Sequence, residues 1–225
     1  MKLKALAIIL LGGLFITEMK AQEGEVRATG IGGYNSTFGY FAGAEISAHH
    51  IVQPWFQVRG AFRYTSFPEY TLDIRPGIYY DLKSGKIHAE ILLYGAYQSS
   101  IYDLCTGISA GYLHKWFWVS LGYYFRHIQP SEGSRGYSEP RNLMYEAGVS
   151  ILPDIRKWNL NVIISNSRLA ELERFHQPSL ILEGTYYPLS DLGIHISAAL
   201  RRAGLFNLSS NCYQEYLSVG ISYRW

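Results

Sequence analysis

The stretch His195-Ile196-Ser197 carries side chains that could do covalent chemistry. Residues two apart on a strand share a face. An imidazole placed there can take the proton of a neighbouring serine hydroxyl and make it a nucleophile. His195 would be the base and Ser197 the nucleophile. Glu183, on the preceding segment, is the one inward carboxylate in reach. Ile194 and Ile196 take the opposite, apolar face, so the pair points into whatever the strand encloses. The competing reading is a pair of interior polar residues with no catalytic role.

The same alternation sends a set of ionisable residues inward: Glu45, Arg59, Arg63, Asp73, Arg75, His88, Glu90, Arg126, Glu146, Glu183, His195, Arg201 and Arg224. One reading is a charged constriction that selects what passes. The other is a network of paired charges that fills and stiffens a narrow interior, because a low-dielectric environment demands pairing. Signs are mixed at similar heights, with Glu45 beside Arg59 or Arg63, and His88 and Glu90 beside Asp73 and Arg75. That mixture favours neutralisation over a one-sign filter. No metal-ligand cluster, cofactor-binding loop or aromatic-basic pattern for nucleic acid occurs in the sequence.

The elements that must position these residues are short and alternating. Period-two hydropathy predicts strands over Val26–Tyr34, Tyr40–Ala48, Trp55–Tyr64, Tyr70–Tyr80, Ile87–Tyr97, Leu104–Leu113, Phe117–Arg126, Leu143–Leu152, Trp158–Asn166, Ser179–Tyr187, Gly193–Arg201 and Tyr213–Trp225. The connections DLKSGK, HKW, PDIRK and PLSD are short. Those after the seventh, ninth and eleventh segments are long. Within them, Gln129–Arg141 reads as a mobile loop. Arg168–His176, RLAELERFH, reads as a solvated outer loop or, in a sharper version, a short helical lid or docking turn.

Aromatic residues sort by strand end. Trp55, Tyr79, Tyr80, Trp116, Trp158, Tyr186, Tyr187 and Trp225 fall at one end; Tyr34, Tyr40, Tyr64, Tyr70, Tyr97, Tyr102, Phe125 and Tyr145 fall at the other. Amphipathic rings prefer the headgroup level, so the sorting predicts two girdles. Mean hydropathy is −0.03, as expected when half the strand residues face lipid and half face a polar lumen.

Residues 1–21 have a basic start (Lys2, Lys4), an apolar run from Ala5 to Ile16 and a small residue, Ala21, before Gln22. That is the layout of a cleaved secretory signal, too short for a spanning helix. It holds three basic residues and one acidic residue, which accounts for the whole formal charge of +2. The neutral remainder, 22–225, gives no electrostatic argument for nucleic acid. Cys105 and Cys212 fall on opposite walls of a twelve-strand barrel, so two free thiols are expected unless folded-over loops bring them together.

The final strand, YLSVGISYRW, alternates to a terminal Trp225 with Tyr223 on the lipid face. It resembles the C-terminal recognition strand of Gram-negative outer-membrane β-barrels, and the Ala-Gln boundary is similar to that of Bacteroidetes-type secreted proteins. The resemblance implies an all-β transmembrane antiparallel barrel of about twelve strands, with ten as the alternative. It implies outer-membrane localisation, lipid contact, and a terminal aromatic read by the barrel-insertion machinery. Tyr223, Trp225, Trp55, Trp116 and Trp158 would form the insertion signal and girdle. The His195–Ser197 spacing also resembles the His-x-Ser pair of outer-membrane phospholipase A and the lipid A deacylases. Here, however, it points into the lumen near the periplasmic end, whereas those sites serve the outer leaflet. Three functions follow as expectations: a narrow or occluded pore, an accessory subunit of an envelope secretion or uptake assembly, and a lipid hydrolase.

Overall fold

A computed structural model describes residues 23–37, 39–66, 70–98, 100–130, 136–151, 157–168, 177–202 and 212–225, with side chains at all but 98, 140, 141, 202, 212 and 213. The expected signal segment lies outside the described residues, as does the 169–176 part of the RLAELERFH stretch.

Twelve strands form: β1 (Gly24–Asn35), β2 (Gly39–Gln53), β3 (Phe56–Thr65), β4 (Tyr70–Leu82), β5 (Gly85–Gln98), β6 (Ile101–Leu113), β7 (Phe117–Pro130), β8 (Tyr137–Ser150), β9 (Trp158–Ser165), β10 (Ser179–Tyr186), β11 (Leu192–Arg202) and β12 (Cys212–Arg224). Each pairs antiparallel with its sequence neighbours, and β12 returns to β1 to close the barrel. The closing seam runs from Glu25 opposite Arg224 to Asn35 opposite Gln214. Closure leaves no sheet edge, so the backbone polar groups are satisfied inside the sheet, as a hydrocarbon environment requires.

Several strands run further than hydropathy predicts. The ladder pairs His127 with Ser138 and Ile128 with Tyr137, so much of Gln129–Arg141 extends a hairpin rather than forming a loop. Beyond the apolar belt both faces of a strand meet water, and alternation disappears while backbone pairing continues. The long connections are therefore those after β9 and β11, residues 166–178 and 203–211, while the one after β7 spans only 131–136. Outer connections on the β1–β6 side span only residues 36–38, 66–69 and 99–100.

Alternation separates two surfaces. On β5, Ile91 and Leu93 are 51% and 45% exposed, while the intervening Leu92 is 1% exposed. Ile108, Leu121, Ile196, Leu217, Val219 and Ile221 continue the exposed apolar belt around the ring. A soluble monomer rarely exposes a contiguous apolar patch beyond a few hundred Å²; a belt circling a closed barrel is a lipid-facing wall.

The interior departs from the polar lumen expected from alternation. Leu92, Tyr94, Cys105, Tyr124 and Met144 pack together inside the wall of β5–β8. Ile163, Ile181 and Ala199 form a second buried cluster, with Trp118 and Tyr216 against it. Runs such as Ile91-Leu92-Leu93-Tyr94 are apolar on both faces, and that composition fills the barrel with side chains. Gly148 makes room for one of them, because a Cβ there would lie 2.1 Å from the Trp118 ring.

Candidate functional site

The interior polar groups form paired clusters, and the pairs are not all those expected. Arg63 donates from Nε and Nη2 to Glu45 Oε2, at 2.9 and 2.7 Å. Arg59 instead meets Glu90 Oε2 at 2.5 Å, and the Tyr79 hydroxyl donates to Glu90 Oε1 at 2.5 Å. Glu90 lies opposite Gly77 in the ladder, so it misses Asp73 and Arg75. Those two pair with each other along β4, Arg75 Nε and Nη2 reaching Asp73 at 2.9 and 2.8 Å. His88 lies opposite Tyr79 and stacks on its ring, with centroids 5.6 Å apart.

Arg75 also donates to the Ser167 carbonyl at 2.5 Å. Ser167 follows β9, five strands away around the ring. The segment is anchored where it turns inward: Asn166 donates to the Leu143 carbonyl and accepts from the Tyr145 N–H. Arg168 then reaches Glu183 Oε2 at 2.9 Å and comes within 4.0 Å of Glu146. Arg168 is therefore a lumen residue, not part of a solvated outer loop. Glu146 accepts from Trp118 Nε1 at 2.8 Å.

The sequence candidates for hydrolysis are not assembled. His195 Nδ1 is hydrogen-bonded to Thr185 Oγ1 and Nε2 to Ser222 Oγ, both at 2.7 Å. Ser197 is hydrogen-bonded instead to Ser218 Oγ, at 2.6 Å. Glu183 is engaged by Arg168. The reason is reach: two residues apart on one strand, His195 and Ser197 find closer partners on the flanking strands. Gly193 keeps the His195–Ser222 contact open, since a Cβ there would sit 2.6 Å from Ser222 Oγ.

At the mouth where β12 ends, Arg224 donates to Glu25 Oε2 at 2.8 Å and lies 4.0 Å over the Tyr187 ring, whose hydroxyl it also contacts. At the other end Arg126 grips Asp103 at 2.5–3.0 Å, and Arg201 donates to Gln214 Oε1 at 2.7 Å and Ser179 Oγ at 3.2 Å. Glu25, Arg27, Asp103 and Arg168 are interior charges that the sequence reading missed. Glu25 and Asp103 lie one residue outside the predicted strand bounds, and extending the alternation would have recovered both. Nothing local in the sequence signals Arg168.

The girdle expectation needs two corrections. Tyr79 and Tyr187 are buried inside the barrel, Tyr79 on the face opposite the exposed Ile78 and Tyr80, and their hydroxyls are engaged by Glu90 and Arg224. Trp55, Trp116, Trp158 and Tyr223 are exposed on the outside, and Trp158 packs 4.6 Å from Tyr186. Trp225 exchanges two 3.2 Å backbone hydrogen bonds with Gly24, and its ring covers that glycine closely enough to exclude a Cβ.

Cys105 is free and buried, with its thiol 3.5 Å from Asp103 Oδ1; the side chain of Cys212 lies outside the described residues. In a Cys212→Ser background, Cys105 is expected to resist a maleimide in the folded barrel and react on denaturation. Rapid labelling of the folded protein would contradict the packed interior.

No protein-family model matches the chain, and no curated protein matches it. Solved structures do. The KdgM porin in complex with disordered oligogalacturonate is similar over 88% of this chain and 98% of its own, at 8% identity and a TM-score of 0.54. The NanC porin is similar over 90% and 99%, at 12% identity and a TM-score of 0.54. The translocator domain of the autotransporter NalP from Neisseria meningitidis is similar over 100% and 95%, at 11% identity and a TM-score of 0.50. At these identities the likeness is one of fold: this chain has the closed antiparallel barrel architecture of outer-membrane porins.

Proposed function

We propose that the protein is an integral β-barrel of a Gram-negative outer membrane, of Bacteroidetes type, acting as a narrow pore whose charge-paired lumen is occluded. The observation that carries this reading is the Arg75 bond to the Ser167 carbonyl. It ties β4 to a segment entering from the far side of the ring, beside an interior already packed with Leu92, Tyr94, Tyr124 and Met144. The paired charges neutralise one another, so the lumen works as a brace more than as a one-sign filter. Residues 1–21 act as the cleaved secretory signal, membrane lipid covers the apolar belt, and the strand ending at Trp225 engages the barrel-insertion machinery.

In planar bilayers the wild type is expected to give small, infrequent conductance steps, and Arg75→Ala larger or more frequent ones. A barrel silent in both forms ends the pore reading.

A second reading, an accessory subunit of an envelope assembly, draws on the outer wall. An apolar depression of about 650 Å³ lies there, lined by Phe56, Ile78, Ile91, Ile108, Leu121 and Tyr123, with Ala89 and Ala110 among them. A stoichiometric membrane partner recovered from detergent, and lost on Ala110→Phe, would favour it. The hydrolase reading has no supporting geometry among the described residues.

A further inference from the structure

Apolar packing inside the barrel is uneven. The Leu92–Met144 cluster fills the wall of β5–β8, whereas a cavity of about 110 Å³ remains against β1–β3 and β10–β12. Three guanidiniums face it, from Arg27, Arg63 and Arg168, against two carboxylates, from Glu45 and Glu183. Thr29 and Ser47 add hydroxyls to the same wall.

Two of the guanidiniums are committed. Arg63 donates twice to Glu45, and Arg168 donates to Glu183 at 2.9 Å. Arg27 is not. Among the described residues its hydrogen bond is one 3.3 Å contact to Glu25 Oε1, and its approach to Glu183 is 3.8 Å. Glu25 is already held by Arg224 at 2.8 Å. A guanidinium carries five N–H donors in a planar fork, so Arg27 brings surplus donors to a cavity whose lining presents three guanidiniums to two carboxylates. That surplus selects an anion, and the fork matches a planar carboxylate. Size narrows the class: a water occupies about 30 Å³, so the space holds only a few heavy atoms.

We infer that this cavity is a binding site for a small monocarboxylate, gripped by the Arg27 fork with Thr29 and Ser47 donating to its oxygens. The inference rests on the barrel reading but not on conduction.

Titrating acetate into the purified wild-type barrel in detergent, in carboxylate-free buffer, tests it by calorimetry. Saturable binding is expected, weakened roughly tenfold or more in Arg27→Gln through loss of charge-assisted hydrogen bonds, and by a smaller factor in Thr29→Val. Absence of saturable acetate binding overturns the inference, as does unchanged affinity in Arg27→Gln. Binding of phosphate or methylammonium in place of acetate also overturns it. Should Arg27→Gln fail to fold, unchanged affinity in Thr29→Val has the same force. A silent barrel that binds acetate removes the pore and keeps this site; a conducting barrel that ignores acetate does the reverse.

Discussion

Asp73→Ala is expected to destabilise the barrel by about 3–5 kcal/mol, the cost of stranding one partner of a buried ion pair. Asp73 is 0% exposed and holds both Nε and Nη2 of Arg75. Without it, the guanidinium keeps only the Ser167 carbonyl among its described partners. Replacing both charges, as Asp73→Leu with Arg75→Met, is expected to recover most of the loss, because a packed apolar pair carries no desolvation penalty. The double variant still lacks the tie to Ser167. It therefore separates stability from occlusion: the barrel should melt close to wild type yet conduct more. Denaturant unfolding of the reconstituted protein measures the first effect and bilayer recording the second. A loss below about 1 kcal/mol in Asp73→Ala, the range of exposed pairs, would mean that water reaches the pair and that the lumen is not sealed there.

Deleting Trp225 is expected to weaken the assembly equilibrium roughly thirtyfold or more, from the loss of two backbone hydrogen bonds at about 1 kcal/mol each and of the ring contact over Gly24. Those bonds join Trp225 to Gly24 at the Glu25–Arg224 end of the seam that closes the ring. A soluble domain tolerates fraying at its terminus. A barrel in lipid does not, since a frayed seam leaves N–H and C=O groups of both β1 and β12 without partners. Trp225→Phe keeps the backbone bonds and an aromatic cover over Gly24, so it should restore most assembly. Protease protection of the membrane fraction reads out all three forms. Equal assembly of the deletion and the wild type would show that the seam closes without its last residue, and would remove the role proposed for the terminal aromatic in insertion.

The two variants probe features that were unequally visible beforehand. The strand ending at Trp225 was legible because alternation through Leu217, Val219, Ile221 and Tyr223 is local, and the structure places those residues outward as read. The Asp73–Arg75 pair was legible only as two inward charges; that they bind each other, and that Arg75 also reaches Ser167, was not. The His195–Ser197 pair shows the same limit. Its inward direction followed from Ile194 and Ile196, but its partners, Thr185, Ser222 and Ser218, belong to strands β10 and β12. Position near a strand end predicts a girdle place for Tyr79 and Tyr187, yet both are buried in the interior, where their hydroxyls meet Glu90 and Arg224.

By itself the sequence determined about twelve strands, the face most of their residues take, and the sorting of most aromatics to the two ends. These depend on a period-two pattern set by neighbours in the chain and by the contrast between hydrocarbon and interior. Only the tertiary structure decided which carboxylate meets which guanidinium, that apolar side chains fill one side of the lumen, and that the segment after β9 turns inward to meet Arg75. Those outcomes depend on register between strands, where sliding by a residue or two changes every cross-strand partner. They depend too on side-chain reach across the lumen, between residues as distant in sequence as Arg75 and Ser167.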